Sequence, residues 1–218
     1  MKNHSDHYDA NYLDWQKSIG EFGGKANAFK FKKSIKESST VIDFGCGGGF
    51  LLKNLNCSER IGIEPNKNTH YQIKLNNAKP YSSSKQLLKK KGVEFADVII
   101  SNNALEHTLN PLLEIKALYP LLKKGGLIHF LVPCDNVLLK YKPKNIDYHL
   151  YSWSPINIGN LFTEAGYKVH KVNTSNLKWP PFYRKIQRLL GWKLFFLTCK
   201  IYSIFEKSWF QVEIIAYK

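Results

Sequence analysis

The clearest chemical signal in this sequence is a short apolar strand that runs into a series of alternating glycines. The predicted strand at residues 40–44 ends in Asp43 and Phe44, and the run G-C-G-G-G follows at residues 45–49. Glycines let the backbone approach a ligand, and a crevice opens at the carboxyl end of such a strand. The spacing differs from the G-x-G-x-x-G of dinucleotide sites and favours an adenosyl ligand without a pyrophosphate. The predicted cofactor-binding residues here are Asp43, Gly45, Cys46, Gly47 and Gly49.

A second acid lies at the end of the next predicted strand, residues 60–64. Glu64 is close to the offset of about 20 residues at which such folds bind ribose hydroxyls. A carboxylate can accept hydrogen bonds from both hydroxyls. We therefore predict that Glu64 binds the ribose and that the site extends to the adjacent Pro65.

Strands and helices must alternate along the chain to position these residues. Near-continuous apolar strands between helices predict a parallel sheet that is covered on both faces. Strands are predicted at residues 40–44, 60–64, 97–101, 127–132, 168–174 and 211–217, with a less marked one near 78–82. Helices are predicted near residues 26–37, 50–55, 68–77, 84–90, 111–122 and 154–165.

The chain resembles class I S-adenosylmethionine-dependent methyltransferases through most of its length. Beside the glycine turn, residues 95–107 are similar to the family's fourth-strand motif and the L-E-H turn after it. Residues 121–128 resemble its L-K-P-G-G turn, with Lys124 where proline is usual. The resemblance implies an α/β, Rossmann-like sheet, mostly parallel with an antiparallel last strand, and S-adenosylmethionine as cofactor. It also adds Ser101, Asn102 and Asn103 to the cofactor site.

Two further segments, residues 15–24 and 149–155, resemble a subgroup associated with bacterial surface-polysaccharide pathways. This implies methylation of a small-molecule or glycan acceptor, most plausibly at oxygen. Residues 1–38 are expected to form an N-terminal helical lid over the domain of residues 39–218. Within the lid, residues 4–9, Tyr12, Trp15 and a glycine turn at residues 22–24 would face the cofactor. A disordered tail is the alternative for the first eight residues.

Two histidines are candidates for the catalytic base that an oxygen nucleophile would need. His107 closes the L-E-H turn after the fourth strand, and His149 opens an aromatic loop after the fifth. Some quinone-pathway O-methyltransferases have E-x-x-E-H at the first of these positions and bind a divalent metal. Here Asn103 occupies the first place of that motif, leaving only Glu106 and His107, and we predict no metal.

The amino-acid composition indicates which partners and which cellular compartment to expect. A formal net charge of +15 over 218 residues favours anionic partners, and a solvated basic surface without a partner is the alternative. No base-reading module is recognisable, so no specific nucleic-acid partner is predicted. The four cysteines lack the spacing of a zinc site or a disulfide framework, and the first residues form no apolar signal region. These features predict a cytoplasmic protein of unknown oligomeric state.

The segment at about residues 180–207 departs from the alternating pattern and is expected to be a helical insertion before the last strand. Basic and aromatic residues interleave in it, which is typical of a helix that lies on an anionic membrane surface. Contact with the inner face of the membrane or with a lipid-linked substrate is one interpretation. A helix packed on the sheet or at a dimer interface is the other.

Two other functions remain open at this point. An NAD-dependent dehydrogenase would share the fold, although the spacing of the glycines differs from that of a dinucleotide site. A noncatalytic cofactor-binding scaffold is the second alternative, against which the complete set of binding residues argues.

Overall fold

The computed structural model of the chain describes residues 10–135, 139–142 and 147–218, and describes side chains from residue 19 onward. The expectations for residues 4–9, and for the side chains of Tyr12 and Trp15, lie outside this part of the chain.

A seven-stranded sheet forms the centre of the molecule, in the order β3-β2-β1-β4-β5-β7-β6. The first five strands pair in parallel, and β7 lies antiparallel between β5 and β6. This confirms the predicted mostly parallel sheet with an antiparallel last strand. The strands are β1 (Thr40–Phe44), β2 (Glu59–Ile63), β3 (Lys79–Tyr81), β4 (Ala96–Asn102), β5 (Leu122–Asp135), β6 (Lys168–Ser175) and β7 (Trp209–Tyr217).

Helices cover both faces of the sheet. Two of them begin as the sequence indicates, with a capping side chain before a proline: Asn110 accepts from Leu113 N, and Ser154 forms a capping box with Asn157. The helices are α1 (Ala10–Phe31), α2 (Phe50–Lys53), α3 (His70–Leu75), α4 (Ser84–Lys91), α5 (Pro111–Leu118), α6 (Pro155–Glu164) and α7 (Tyr183–Phe205).

Alternate residues of the central strands supply two separate cores. Ile42 of β1 belongs to one buried cluster and Val41 to the other. In β5, Phe130 and Leu131 divide between the clusters in the same way. Successive side chains of a strand point to opposite faces, so a parallel sheet buried on both sides needs an apolar residue at every position.

The N-terminal helix corrects two predictions. The helix expected near residues 26–37 begins at Ala10 and ends at Phe31. Residues 22–24, expected to form a turn, lie inside it. Gly20 and Gly24 explain why: an added Cβ would lie 2.5 Å from the Phe50 ring at Gly20 and would overlap the Phe50 carbonyl at Gly24. The glycines therefore serve close helix packing, which outweighs their poor helix propensity.

Strand β5 is longer than the predicted residues 127–132. It pairs with β4 from Leu122 onward, and its far end pairs with β7 up to Asp135. This extension places Asp135 at the edge of the sheet where the predicted site residues lie.

Candidate active site

A cleft of about 570 Å³ lies at the carboxyl edge of β1 and β4, beneath α1 and the start of α7. Its volume is within the usual range for small-molecule sites. Both predicted catalytic residues, His107 and His149, line it. So do six of the predicted cofactor-binding residues: Asp43, Gly45, Cys46, Gly47, Asn102 and Asn103.

The glycine turn is held in shape by β2. Gly45 N donates to the Ile63 carbonyl at 2.8 Å, and Gly45 and Gly47 have φ of +72° and +52°. Residues with a side chain rarely adopt this left-handed backbone conformation, which explains why glycine occupies both positions. A Cβ on Gly45 would also collide with Ala104, which follows β4. The turn thus brings bare backbone to the cleft wall.

Glu64 lies directly after β2 and supports the same turn. Its Oε2 accepts from Gly47 N at 2.9 Å, and its Oε1 accepts from Asn66 N at 3.0 Å. Burial raises the pKa of Glu64, and these two backbone hydrogen bonds act against the shift. Neither Glu64 nor the exposed Pro65 is among the described residues that line the cleft.

Two other predicted cofactor residues have structural contacts instead. A Cβ on Gly49 would lie 3.3 Å from Ile73 Cα, so this glycine faces α3. Ser101 is fully buried, and its hydroxyl donates to the Phe44 carbonyl at 2.8 Å, which joins β4 to β1. Both residues position the turn from behind the cleft wall.

The cleft also contains a partly buried cation that was not predicted from the sequence. Lys30 of α1 lines it and donates to Gln211 Oε1 at 2.8 Å, and Gln211 in turn donates to Asn103 Oδ1 at 2.7 Å. Burial lowers the pKa of Lys30 to about 8. Asp43 lines the same cleft, and burial, followed by the charge of Glu64, raises its pKa well above the ordinary value. A buried acid and a partly buried base thus share the site.

The loop that carries His149 is fixed to the L-E-H turn by its backbone. Leu150 N and Tyr151 N both donate to the Glu106 carbonyl, at 2.9 and 3.3 Å. His149 Nδ1 lies 3.2 Å from Asp135 Oδ2 at the end of β5. An Nδ1–H donated to this carboxylate leaves the Nε2 lone pair available within the cleft. Asp135 is therefore a positioning residue that the sequence did not reveal.

Glu106 is a buried acid with unusual surroundings. Its side chain is fully buried, and neither carboxylate oxygen has a hydrogen-bond partner among the described residues. The Nε2 atoms of His107 and His149 lie 3.8 and 3.9 Å from Oε1. Burial, and then the charges of Asp135 and Asp147, raise the pKa of Glu106 to about 8. Burial therefore favours the protonated form of Glu106.

The side chains of Glu106, His107 and His149 are close enough together to be considered as ligands of one metal ion. One ligand atom each from Glu106, His107 and His149 lies within 4.8 Å of the others. A carboxylate and two imidazoles form a donor set that suits a divalent transition metal. The sequence linked only the first two residues. The loop contacts to the Glu106 backbone bring in the third.

Aromatic side chains from α1, from α7 and from the segment before α7 form the wall of the cleft opposite the sheet. Phe22 contacts Trp179 and Tyr183, with ring centroids 5.0 and 4.8 Å apart, and Trp179 and Tyr183 line the cleft. Farther along α7, Trp192 stacks on Phe29 at 5.9 Å. The expected helical insertion is therefore α7, which packs on α1.

The order of the strands in the sheet and the cleft at the glycine turn together define a Rossmann-like methyltransferase. The chain belongs to the methyltransferase domain family, whose model matches residues 15–172. The family predicted from the sequence is thereby confirmed, as is S-adenosylmethionine as cofactor. The NAD-dependent dehydrogenase alternative is set aside. No curated protein sequence matches the chain.

Solved structures of low sequence identity share the fold. A SAM-dependent methyltransferase from Thermotoga maritima is 16% identical with a TM-score of 0.68, over 99% of this chain and 98% of that one. One from Archaeoglobus fulgidus is 17% identical with a TM-score of 0.64, over 96% and 100%. Phosphoethanolamine N-methyltransferase 2 from Haemonchus contortus, in complex with S-adenosyl-L-methionine, is 11% identical with a TM-score of 0.68, over 100% and 60%.

Proposed function

We propose that this methyltransferase methylates an oxygen of a small-molecule or glycan acceptor and that His149 is its general base. The observation that carries this proposal is the pair formed by Asp135 and His149, which presents Nε2 to the cleft. His107 lies beside it, with ring centroids 5.1 Å apart, and would contact the acceptor.

The cleft fits S-adenosylmethionine by shape and by charge. The bare backbone at Gly45 and Gly47 gives close access, and the acid Asp43 and the base Lys30 in the lining match a zwitterionic amino-acid group. Asp43 would receive the ammonium, which favours its ionised form, and Lys30 would receive the carboxylate. Glu64 already accepts one hydrogen bond on each oxygen and keeps lone pairs for the ribose hydroxyls.

Protein groups would align the acceptor and remove its proton. S-adenosylmethionine supplies a methyl group on a positively charged sulfur, which needs alignment with a nucleophile more than activation. His149 Nε2 would accept the proton of the acceptor hydroxyl as the new carbon–oxygen bond forms. Asp135 would hold Nδ1–H and stabilise the imidazolium, as a carboxylate does in other histidine bases.

The charge and the lid guide the choice of acceptor. A net charge of +15 favours an anionic acceptor, such as a nucleotide sugar or a lipid-linked glycan, over a neutral one. This agrees with the resemblance to the surface-polysaccharide subgroup and with a site of action at the inner face of the membrane. Helix α1 contributes Ile19, Gly20, Gly23 and Gly24 to the cleft, which supports its role as a lid.

Methyl transfer from labelled S-adenosylmethionine to a panel of hydroxyl acceptors tests the proposal. His149→Ala should lower turnover about 10²–10⁴-fold, because the base is lost, while the affinity for S-adenosylhomocysteine stays unchanged. His170→Ala, at an exposed histidine of β6, is the matched control and should retain full activity. Parallel losses of stability and turnover in His149→Ala would make this histidine structural. Cofactor binding without transfer to any acceptor would support the scaffold alternative.

A chelator separates the base from a metal centre. If His149 acts as the base, treatment with EDTA should leave turnover intact. Inactivation that added magnesium or zinc reverses would instead assign Glu106, His107 and His149 to a bound cation. His149→Ala would then also abolish binding of that cation, measured by calorimetry.

A further inference from the structure

The second half of α7 has two opposite faces. Beyond Gly191, where φ of +71° and ψ of 176° interrupt the helix, Phe195 and Cys199 are fully buried. The opposite face carries an apolar stripe whose members are between 49% and 63% exposed and follow a 3-4-3 spacing, which places them on one side of a helix. The stripe consists of Leu194, Leu197, Ile201 and Ile204.

The charges along α7 have one sign. The helix Tyr183–Phe205 contains five basic side chains and no acidic one. All five are exposed: Arg184, Lys185, Arg188, Lys193 and Lys200. A basic amphipathic helix with leucine, isoleucine and aromatic residues on its other face is the sequence type that binds in the plane of a membrane interface.

We propose that α7 docks the protein onto an anionic membrane surface, with the apolar stripe inserted at the boundary between headgroups and acyl chains. The cations beside the stripe would contact the anionic headgroups. None of the described helices combines the length and apolar character needed to cross a bilayer. The helix would therefore lie along the surface.

The same charges argue against a second copy of this chain as the occupant of the stripe. A two-fold interface brings one patch against itself. With no acid on α7, Lys193 and Lys200, which share the second half of the helix with the stripe, would face cations of the other copy and no carboxylate of its α7. Like charges opposed in this way weaken association, whereas anionic lipids neutralise them.

Docking through α7 would set the cleft against the bilayer. Tyr183, the first residue of the helix, lines the cleft beside Trp179, and Phe22 joins both to the lid helix. This part of the inference rests on the proposed function: the acceptor hydroxyl would belong to a lipid-linked or headgroup-bearing molecule at the interface. The docking itself does not depend on methyl transfer.

Cosedimentation with vesicles tests the docking. Vesicles of phosphatidylcholine with about one third phosphatidylglycerol should bind the wild type at low salt, and added salt should weaken binding by screening. Changing Arg184, Lys185 and Arg188 together to Gln should reduce the partition coefficient about 100-fold, since each cation contributes about fivefold. Changing Lys85, Lys89 and Lys90 of α4 to Gln removes the same exposed charge elsewhere and should have little effect.

The apolar stripe needs its own variant. Leu194→Ser combined with Ile201→Ser should also release the protein from anionic vesicles, while the affinity for S-adenosylhomocysteine shows that the fold persists. Failure of the wild type to cosediment at low salt would overturn the proposal, as would equal losses in the α4 control. A dimer that these serines dissociate would show that the stripe is a self-interface. None of these outcomes bears on the His149 test, which uses soluble acceptors.

Discussion

Two glutamates near the cleft, the half-buried Glu64 and the fully buried Glu106, have sharply different surroundings. Glu64, after β2, accepts a backbone N–H on each carboxylate oxygen, from Gly47 and from Asn66. Glu106, after β4, accepts no hydrogen bond on either oxygen from the described residues. Burial raises the pKa of both acids, and it brings that of Glu106 to about 8. The two acids mark two halves of the site.

The difference indicates which half the protein completes by itself. On the cofactor side, local backbone donors satisfy the acid, so the turn is formed before any ligand arrives. A buried polar group without a partner costs stability, and where it persists it calls for a functional explanation. Glu106 faces His107 and His149 in the acceptor half. That half is therefore the part of the site that a proton, a cation or an acceptor must complete.

Gly47→Val tests the preformed half and should have the largest effect. A β-branched residue at a φ of +52° costs about 1–3 kcal/mol, and its side chain would also enter the cleft. We expect affinity for S-adenosylhomocysteine to fall roughly 100-fold or more by calorimetry. Gly125→Val carries the same strain at a φ of +71° with no neighbour near its Cβ, outside the cleft lining. If Gly125→Val lost as much affinity as Gly47→Val, backbone strain and not the position in the cleft would be responsible for the loss.

Glu106→Gln tests the incomplete half through the pH dependence of stability. With a folded-state pKa of about 8 against 4.5 in the unfolded chain, the folded protein holds an extra proton between these values. Glu106 therefore makes the free energy of unfolding fall as pH rises from 5.5 to 8, by about 3 kcal/mol at most. In Glu106→Gln, the free energy of unfolding measured by urea titration should no longer show this fall with rising pH. Glu164→Gln, at an exposed acid, should leave it unchanged. An unaltered slope in Glu106→Gln would mean that Glu106 is ionised and paired.

The cofactor half could be predicted because its determinants are local in sequence. The strand before the turn, the glycines at positive φ and the acid after β2 each follow from side-chain type and spacing. Lys30 of this half was not predicted, and Gly49, Glu64, Pro65 and Ser101 are not among the described residues that line the cleft. A lysine in a helix looks like a surface residue, and only the contact with Gln211, 181 positions away, shows that it is partly buried.

The acceptor half could be predicted only in part: His107 and His149 were named from the sequence, but distant parts of the chain build their surroundings. Asp135 reaches His149 only because β5 extends to pair with β7. Gly24 looked like a turn residue, but a helix uses it to pack on the Phe50 backbone. The contact between Phe22 and Tyr183 joins two helices that are far apart in sequence. Such pairings depend on tertiary structure and leave no spacing to recognise.

Glu64→Ala should give the smallest of these effects and sharpens the comparison most directly. Alanine removes the acceptor of Gly47 N and the predicted ribose contact, and a hydrogen bond to a charged group contributes about 1.5–3 kcal/mol. Affinity for S-adenosylhomocysteine should therefore fall about 10- to 100-fold in calorimetry. Glu59→Ala, at the other end of β2, removes an acid that pairs with Lys79 and Lys91 and should leave affinity unchanged. If Glu64→Ala binds as tightly as the wild type, Glu64 is needed neither for the ribose nor for the shape of the turn. The cofactor half would then owe its shape to the glycines alone.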